Sequence, residues 1–273
     1  MELSNRHAVI TGASAGIGAA LAKALAARGA RVTLVARRRA ALESMAAEIR
    51  ARGGAAEIVV ADLVADPTGW LSAVERPIDV LVNNAGVQVI APTAEVDPDA
   101  GERSLALNLG TPLRLIRRLL PGMLARGEST IVNVASMASI APTPGMTYYN
   151  AGKCGLAGAS EALRGELRGT GVRVLTVYPG LIDTDMATAG FAAYESSLAL
   201  RAQPIGRPDV LAAHVVRAVE RDRARVVYPR FNLLARWFPN VTRWVLDRLA
   251  PAVRAAPEAH GSVQSASSVS PSP

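Results

Sequence analysis

The chain has 273 residues, half of them hydrophobic and 19% charged, which is enough for one domain with a sizeable core. Its one cysteine, Cys154, excludes an internal disulfide and a cysteine-based metal cluster, and the three histidines (His7, His214, His260) are scattered, so no metal site is expected. The net charge of +7 is concentrated in residues 201–254, where eleven arginines face four acids, which speaks against a nucleic-acid-binding surface spread over the fold.

No signal peptide is evident: Met1 to Asn5 lead straight into a strand-like stretch. No uninterrupted apolar run is long enough to span a bilayer, so a cytoplasmic protein is expected, with peripheral membrane attachment left open. Ala8–Thr11 reads as a short buried strand, followed by a Gly-rich turn and an Ala-rich helix over 17–28. Arg31–Val35 is a second strand, followed by a helix over 39–52. Glu57–Ala61 and Ile78–Val82 are the third and fourth strands; helical periodicity then runs from about 99 to 126. Thr130–Val134 is the fifth strand, a helix around Tyr149 runs to about 168, Val172–Val177 is the sixth strand and Arg225–Tyr228 the seventh. Apolar, β-branched strands separated by helices predict a parallel sheet covered on both faces. Right-handed crossovers then give a doubly wound α/β fold of the Rossmann type with about seven strands, expected over residues 1–229. Residues 230–254 hold two of the three tryptophans and two of the three phenylalanines and are expected to form a short helical extension; 255–273, rich in Ser, Pro, Ala and Val, reads as a disordered tail.

Three features carry chemistry. Thr11-Gly-Ala-Ser-Ala-Gly-Ile-Gly18 lies between the first strand and the first helix. Gly12, Gly16 and Gly18 allow a tight turn and close approach of backbone to a pyrophosphate, at the positive end of the following helix. The spacing G-x-x-x-G-x-G differs from the common dinucleotide pattern G-x-G-x-x-G. Second, the end of the second strand reads Val35-Ala-Arg-Arg-Arg39, with no acid for a ribose 2′-hydroxyl. Arg37 is placed to meet a 2′-phosphate, with Arg38 as a helper and Ser14 within reach, so the expected cofactor is NADP(H). Third, Tyr149 and Lys153 are four residues apart, hence on one helix face. Lys153 is one of only two lysines in a chain with 28 arginines. A neighbouring ammonium favours phenolate, so Lys153 is expected to lower the Tyr149 pKa from about 10 and make it a usable acid and base.

With these motifs the chain resembles the short-chain dehydrogenase/reductase family over roughly residues 5–228. Thr11–Gly18, with Ile17 among the loop contacts, is similar to the family's glycine motif. Asp62-Leu63 follows the third strand, where the family sets an acid against the adenine amino group. Asn83-Asn84-Ala85-Gly86 looks like its N-N-A-G segment, with Asn83 structural and Asn84 the cofactor neighbour. Asn108 lies where the family carries a catalytic asparagine, and Ser136 precedes Tyr149 by the family's usual 13 residues. Pro179-Gly180-Leu-Ile182-Asp-Thr184 resembles its P-G-x-I-x-T segment. The resemblance implies Tyr149 as proton donor and acceptor, with Lys153 lowering its pKa and holding the nicotinamide ribose. It implies Ser136 on the reacting oxygen, Asn108 on a water-linked proton path, and Ile182 and Thr184 at the carboxamide. It also implies a dimer or tetramer.

Neighbouring residues of the same types are weighed against these. Tyr148 and Ser139 give the wrong intervals, Asn133 sits inside a strand, and Cys154 reads as a small packed residue. The substrate loop is expected between Thr184 and about Pro208, with Met186, Phe191, Tyr194 and Leu198 making it apolar and Val87, Ile140 and Met146 on the facing wall. Arg201 and Arg207 remain open as carboxylate partners. An apolar carbonyl compound or alcohol is the expected substrate. For 230–250, apolar residues at intervals of three and four with Trp and Arg suit a membrane interface, but closure of the pocket or packing on a second subunit, with the arginines facing water, is the preferred reading. Two functions stand at this stage: a carbonyl reductase or alcohol dehydrogenase, and a non-catalytic NADP-binding regulator.

Overall fold

The computed structural model describes residues 1–192, Tyr194 and residues 204–249; the tail expected over 255–273, Leu198 and Arg201 lie outside these. Seven strands form one parallel sheet: β1 (His7–Thr11), β2 (Arg31–Ala36), β3 (Ala55–Val60), β4 (Val80–Asn83), β5 (Ser129–Val134), β6 (Val172–Pro179) and β7 (Arg225–Tyr228). Their order is β3-β2-β1-β4-β5-β6-β7, so the chain winds outward from β1 in one direction, then from β4 in the other. Between the strands run α1 (Gly16–Ala26), α2 (Arg39–Ala51), α3 (Pro98–Leu105), α4 (Thr111–Arg126), α5 (Thr147–Glu166), α6 (Asp185–Ala192) and α7 (Pro208–Glu220). Two short helices follow β7: α8 (Leu233–Trp237) and α9 (Pro239–Leu249).

Side-chain alternation on the strands makes two core layers. Ile10, Leu34, Val82, Val132 and Leu175 point to one face, where Leu21, Leu25, Leu42, Leu211 and Val215 of α1, α2 and α7 cover them. Val9, Val35, Leu81, Ile131 and Val174 point to the other, against Leu115, Ile116 and Met123 of α4. Each fully buried Leu, Ile or Val contributes about 1.5–3 kcal/mol relative to an exposed one, so a strand slipped by one residue would forfeit both layers.

The stretch from 98 to 126 is interrupted. Residues Ala106–Gly110 form a π-helical turn in which Thr111 N–H reaches back to Ala106 O. Pro112 has no N–H and so cannot give the Asn108 carbonyl its ordinary i+4 bond. Asn108 sits inside this turn, fully buried. The seam between β1 and β4 opens at the carboxyl edge of the sheet, the place where such folds take ligands.

Candidate active site

A cleft of about 880 Å³ opens at that edge. It brings together Gly12, Ser14, Gly16, Ile17, Arg37, Asp62, Leu63, Asn84, Ala85, Gly86, Asn108, Ser136, Tyr149, Lys153, Pro179, Gly180, Ile182 and Thr184, every predicted site residue except Gly18.

Gly18 lies one layer behind. A methyl group there would collide with the Gly12 carbonyl and lie 2.5 Å from Asn84 Nδ2. Gly12, at φ +66°, is held as closely: its added methyl would lie 2.8 Å from Ala85 Cα. Asn84 is the brace between the two loops, donating from Nδ2 to Thr11 O at 2.9 Å and to Gly12 O at 3.3 Å. Thr11 Oγ1 accepts from the N–H groups of Asn84 and Ala85 and donates to Val82 O. The sequence names Asn84 as a cofactor neighbour; its side chain is engaged in fixing the loop. Asn83 is structural, as expected, donating to Asn133, which donates to Ser160.

At the far end of the loop Arg38 donates to Ser14 Oγ from both Nε (3.3 Å) and Nη2 (3.1 Å), while Arg37 lines the cleft with no bond to protein among the described residues. Asp62 accepts from Val64 N–H at 3.0 Å, which fixes its carboxylate at the end of β3. Thr184 donates to Ile182 O at 3.2 Å and accepts from Ala187 N–H at 3.3 Å, starting α6; Ile182 pairs with Gly206 in a parallel bridge.

Helix α5 presents Tyr149 and Lys153 to the cleft, both buried. Lys153 Nζ donates to Val134 O at 2.8 Å and lies 5.9 Å from the Tyr149 ring centre. Burial pulls the Lys153 ammonium down to about 8. Burial also raises Tyr149, with the Ser136 hydroxyl opposing it, so the expected lowering of this phenol by Lys153 is not what the geometry gives. Desolvation of the phenolate is the dominant influence on this group. Ser136 Oγ accepts from Ala138 N–H at 3.1 Å, which aims the hydroxyl. Tyr148 is turned away, its ring packed on Gly101 of α3. Cys154 donates weakly to Ala138 O and Ser139 O, in keeping with a packed residue.

Asn108 donates to Val87 O at 2.7 Å and Ser104 Oγ at 3.1 Å, while its Oδ1 is buried with no partner among the described residues. A methyl group on Gly86 would lie 2.5 Å from that Oδ1 and 3.4 Å from Lys153 Nζ, so the two polar atoms flank one small space that Gly86 keeps clear.

The apolar end of the cleft is formed by Val87, Ile90, Ala138, Met146, Met186 and Tyr194. Tyr194 donates to Pro144 O at 2.9 Å, and burial pushes its phenol up to about 12. Ile140 does not line it: this residue packs beneath, with Ala135, Ala157 and Tyr178, because the 3₁₀ turn Met137–Ser139 rotates it off the wall. Arg207 is occupied by Asp209 and lies off the cleft, whereas Arg103 of α3, which the sequence reading did not single out, reaches its rim. The side chain of Phe191 is outside the described part. Phe231, Asn232, Ala235 and Thr242 of the C-terminal extension complete one flank, with Asn232 packed directly on Gly180.

Comparison with known proteins agrees with this layout. A fatty acyl-CoA reductase of Mycobacterium tuberculosis is 35% identical over 254 residues, 90% of this chain and 84% of that one. A short chain dehydrogenase of Pseudocercospora fijiensis is 33% identical over 192 residues, 68% of this chain; the match spans only 62% of that longer protein. Among solved structures, a 3-oxoacyl (acyl-carrier-protein) reductase from Agrobacterium tumefaciens with NADP bound superposes with a TM-score of 0.72 at 27% identity, covering 82% of this chain and 93% of that one. The family model for short chain dehydrogenase matches residues 6–195. The chain belongs to the short-chain dehydrogenase/reductase family of oxidoreductases.

Proposed function

We propose that the protein is an NADP(H)-dependent oxidoreductase that interconverts a carbonyl and an alcohol on an apolar substrate, with Tyr149 as the acid and base. The observation that carries this is the meeting of Tyr149, Ser136, Lys153 and Asn108 in one cleft at the carboxyl edge of the sheet. The residues present fit such a cofactor. Gly12 and Gly16 bare the backbone at the start of α1, where a pyrophosphate is favoured. Arg37 and Arg38 at the end of β2 offer cations, and no acid, to a 2′-phosphate. Asp62 fits the adenine amino group, and Lys153 the hydroxyls of the nicotinamide ribose.

The cofactor, when bound, supplies or takes the hydride at the substrate carbon. Tyr149 gives its phenolic proton to the carbonyl oxygen in reduction and takes the hydroxyl proton in oxidation. A Tyr149 that burial keeps protonated suits the donor role. Ser136 hydrogen-bonds the same oxygen and steadies the charge that develops on it. The space flanked by Asn108 Oδ1 and Lys153 Nζ would take a water through which Tyr149 is reprotonated. Val87, Ile90, Met146 and Tyr194 receive an apolar chain. The likeness to a fatty acyl-CoA reductase and a 3-oxoacyl reductase supports an acyl-type substrate. The test is NADPH consumption with a panel of medium-chain ketones, aldehydes and 3-oxoacyl thioesters, against Tyr149→Phe. Turnover in wild type and none in the variant is expected; equal turnover in both would refute the assignment of Tyr149, and no turnover with NADPH still bound would favour a regulator.

A further inference from the structure

The C-terminal helices have two unlike faces. Ala235 and Thr242, seven residues apart, look into the cleft. The outer face carries Leu234, Trp237, Phe238, Val241, Trp244 and Val245, at intervals of three and four across the break at Pro239, and these are 37–74% exposed. Phe231, 66% exposed, extends the same stripe to the cleft rim. Seven large apolar side chains in one short stretch is far beyond the scattered exposure normal for a soluble surface.

Arginines accompany the stripe. Arg230, Arg243 and Arg248 are exposed, and none of them forms an ion pair among the described residues. Arg248 lies over the Trp244 ring at 4.2 Å, holding its charge beside the indole. Arg236 lies 5.1 Å from the centre of the Tyr178 ring and ties α8 to the sheet. The only acid between Arg230 and Leu249 is Asp247.

We propose that this outer face docks on an anionic lipid bilayer, with Trp237, Phe238, Val241 and Trp244 in the headgroup–acyl boundary and Arg230, Arg243 and Arg248 on lipid phosphates. Amphipathic helices that combine Trp and Phe with flanking arginines bind this way, and cation–phosphate attraction adds to the apolar term. Charge complementarity selects this occupant over a second copy of the chain. A two-fold contact sets the same patch against itself, which would bury unpaired arginines facing arginines with only Asp247 of each copy to offset them. The geometry has a consequence for access: Phe231 links the docked stripe to the apolar end of the cleft, so the mouth opens at the bilayer surface. That the cleft draws an apolar carbonyl compound from the lipid rests on the reductase reading above; the docking itself does not.

Flotation of the full chain with vesicles tests it without any activity readout. Vesicles of phosphatidylcholine containing phosphatidylglycerol should carry the protein to the top of the gradient, and vesicles of phosphatidylcholine alone should carry much less. Two double variants separate the contributions: Trp237→Ser with Trp244→Ser, and Arg243→Gln with Arg248→Gln. Each should weaken binding to anionic vesicles by about tenfold or more, and added salt should release wild type. Failure of wild type to float, or equal flotation of wild type and both variants, overturns the proposal. So does a concentration-dependent dimer that the tryptophan variant abolishes, since the stripe is then covered by a second copy. Turnover of a soluble ketone is measured separately, so its failure leaves the docking result standing.

Discussion

The cleft and the C-terminal helix pair are built on opposite rules. In the body, apolar side chains are buried in two layers and polar ones are gathered, buried, at one sheet edge. Lys153 and Asn108 are among the least accessible residues, yet one is a cation and the other has an acceptor with no partner among the described residues. In the helix pair the arrangement is inverted: tryptophan and phenylalanine are exposed, and arginine lies among them. A buried polar group without a partner is costly, and a contiguous exposed apolar patch marks a contact surface. The contrast teaches that burial within the chain completes neither region; on the two proposals above, a polar ligand completes the first and a lipid surface the second.

The strongest break in the first half of the comparison is Tyr149→Phe. It removes one oxygen and leaves the ring that packs with Met146 and Tyr194. Carbonyl reduction should fall by about 10³-fold, in the range for loss of a general acid, with the melting temperature little changed. Steady-state turnover with thermal melting alongside checks both. Gly86→Ala attacks the same site through space. Its methyl would press on Asn108 Oδ1 at 2.5 Å and approach Lys153 Nζ at 3.4 Å. Turnover should fall by about 10²-fold, more than NADPH affinity does. Were the space between Asn108 and Lys153 without use, turnover would survive. Arg37→Asp probes the cofactor end. Losing a charge-assisted bond to the 2′-phosphate should move the NADPH-to-NADH preference by about 10- to 100-fold toward NADH, read from the ratio of kcat/KM values.

The fold was largely legible because strands buried on both faces read as short apolar, β-branched runs separated by helices. The residues that make the two layers, Val9 beside Ile10 and Leu81 beside Val82, are adjacent in sequence and opposite in space. Helix α7 was missed although Leu211, Ala212, Val215, Val216 and Val219 carry its period; it lies directly after a stretch read as a substrate loop. The π turn at Asn108 was not legible, since a single inserted residue leaves helical periodicity almost unchanged and only Pro112 hints at it. Ser136 follows the end of β5 and Thr184 the end of β6, while Tyr149 is carried by α5; the family resemblance, not strand geometry, put all three in one site, and the cleft brings them together. Two properties did not follow. Ile140 is one residue beyond a 3₁₀ turn whose rotation spacing cannot give. The direction of the Tyr149 shift depends on burial, a three-dimensional quantity, and spacing reported only the lysine.

That burial gives a prediction on stability. Lys153 titrates near 8 in the folded protein and in the ordinary lysine range, above 10, when unfolded. Below pH 8 both states hold the proton, and the folded state bears the full cost of a buried ammonium. Between pH 8 and about 10 the unfolded state binds more protons, so wild-type stability from this group rises with pH. Lys153→Met removes the cost, on the order of 3 kcal/mol, but leaves the Val134 carbonyl without its donor, which costs about 1–3 kcal/mol. A net gain of about 1 kcal/mol is expected at pH 7, shrinking toward pH 10, in an inactive protein. Urea melts at the two pH values check the sign; a variant less stable at pH 7 and no better at pH 10 would mean the ammonium is well solvated by its surroundings.

The smallest expected effect sharpens the other half of the comparison. Trp70 and Trp237 are the same residue in the two environments: Trp70 is 6% exposed and packed in the core beside α4, and Trp237 is 74% exposed on α8. Trp70→Ala should cost about 3–5 kcal/mol through lost transfer and a cavity. Trp237→Ser should stay within about 0.5 kcal/mol, because its indole is as wet in the folded chain as in the unfolded one. Vesicles should change only the second number. A surface that binds the folded form alone raises its stability by mass action, and the Trp237 variant should lose part of that rise while the Trp70 variant keeps it. A Trp237→Ser cost of several kcal/mol in plain buffer would instead mean that the stripe is already covered in solution, and the inverted region would then belong to the core of an assembly.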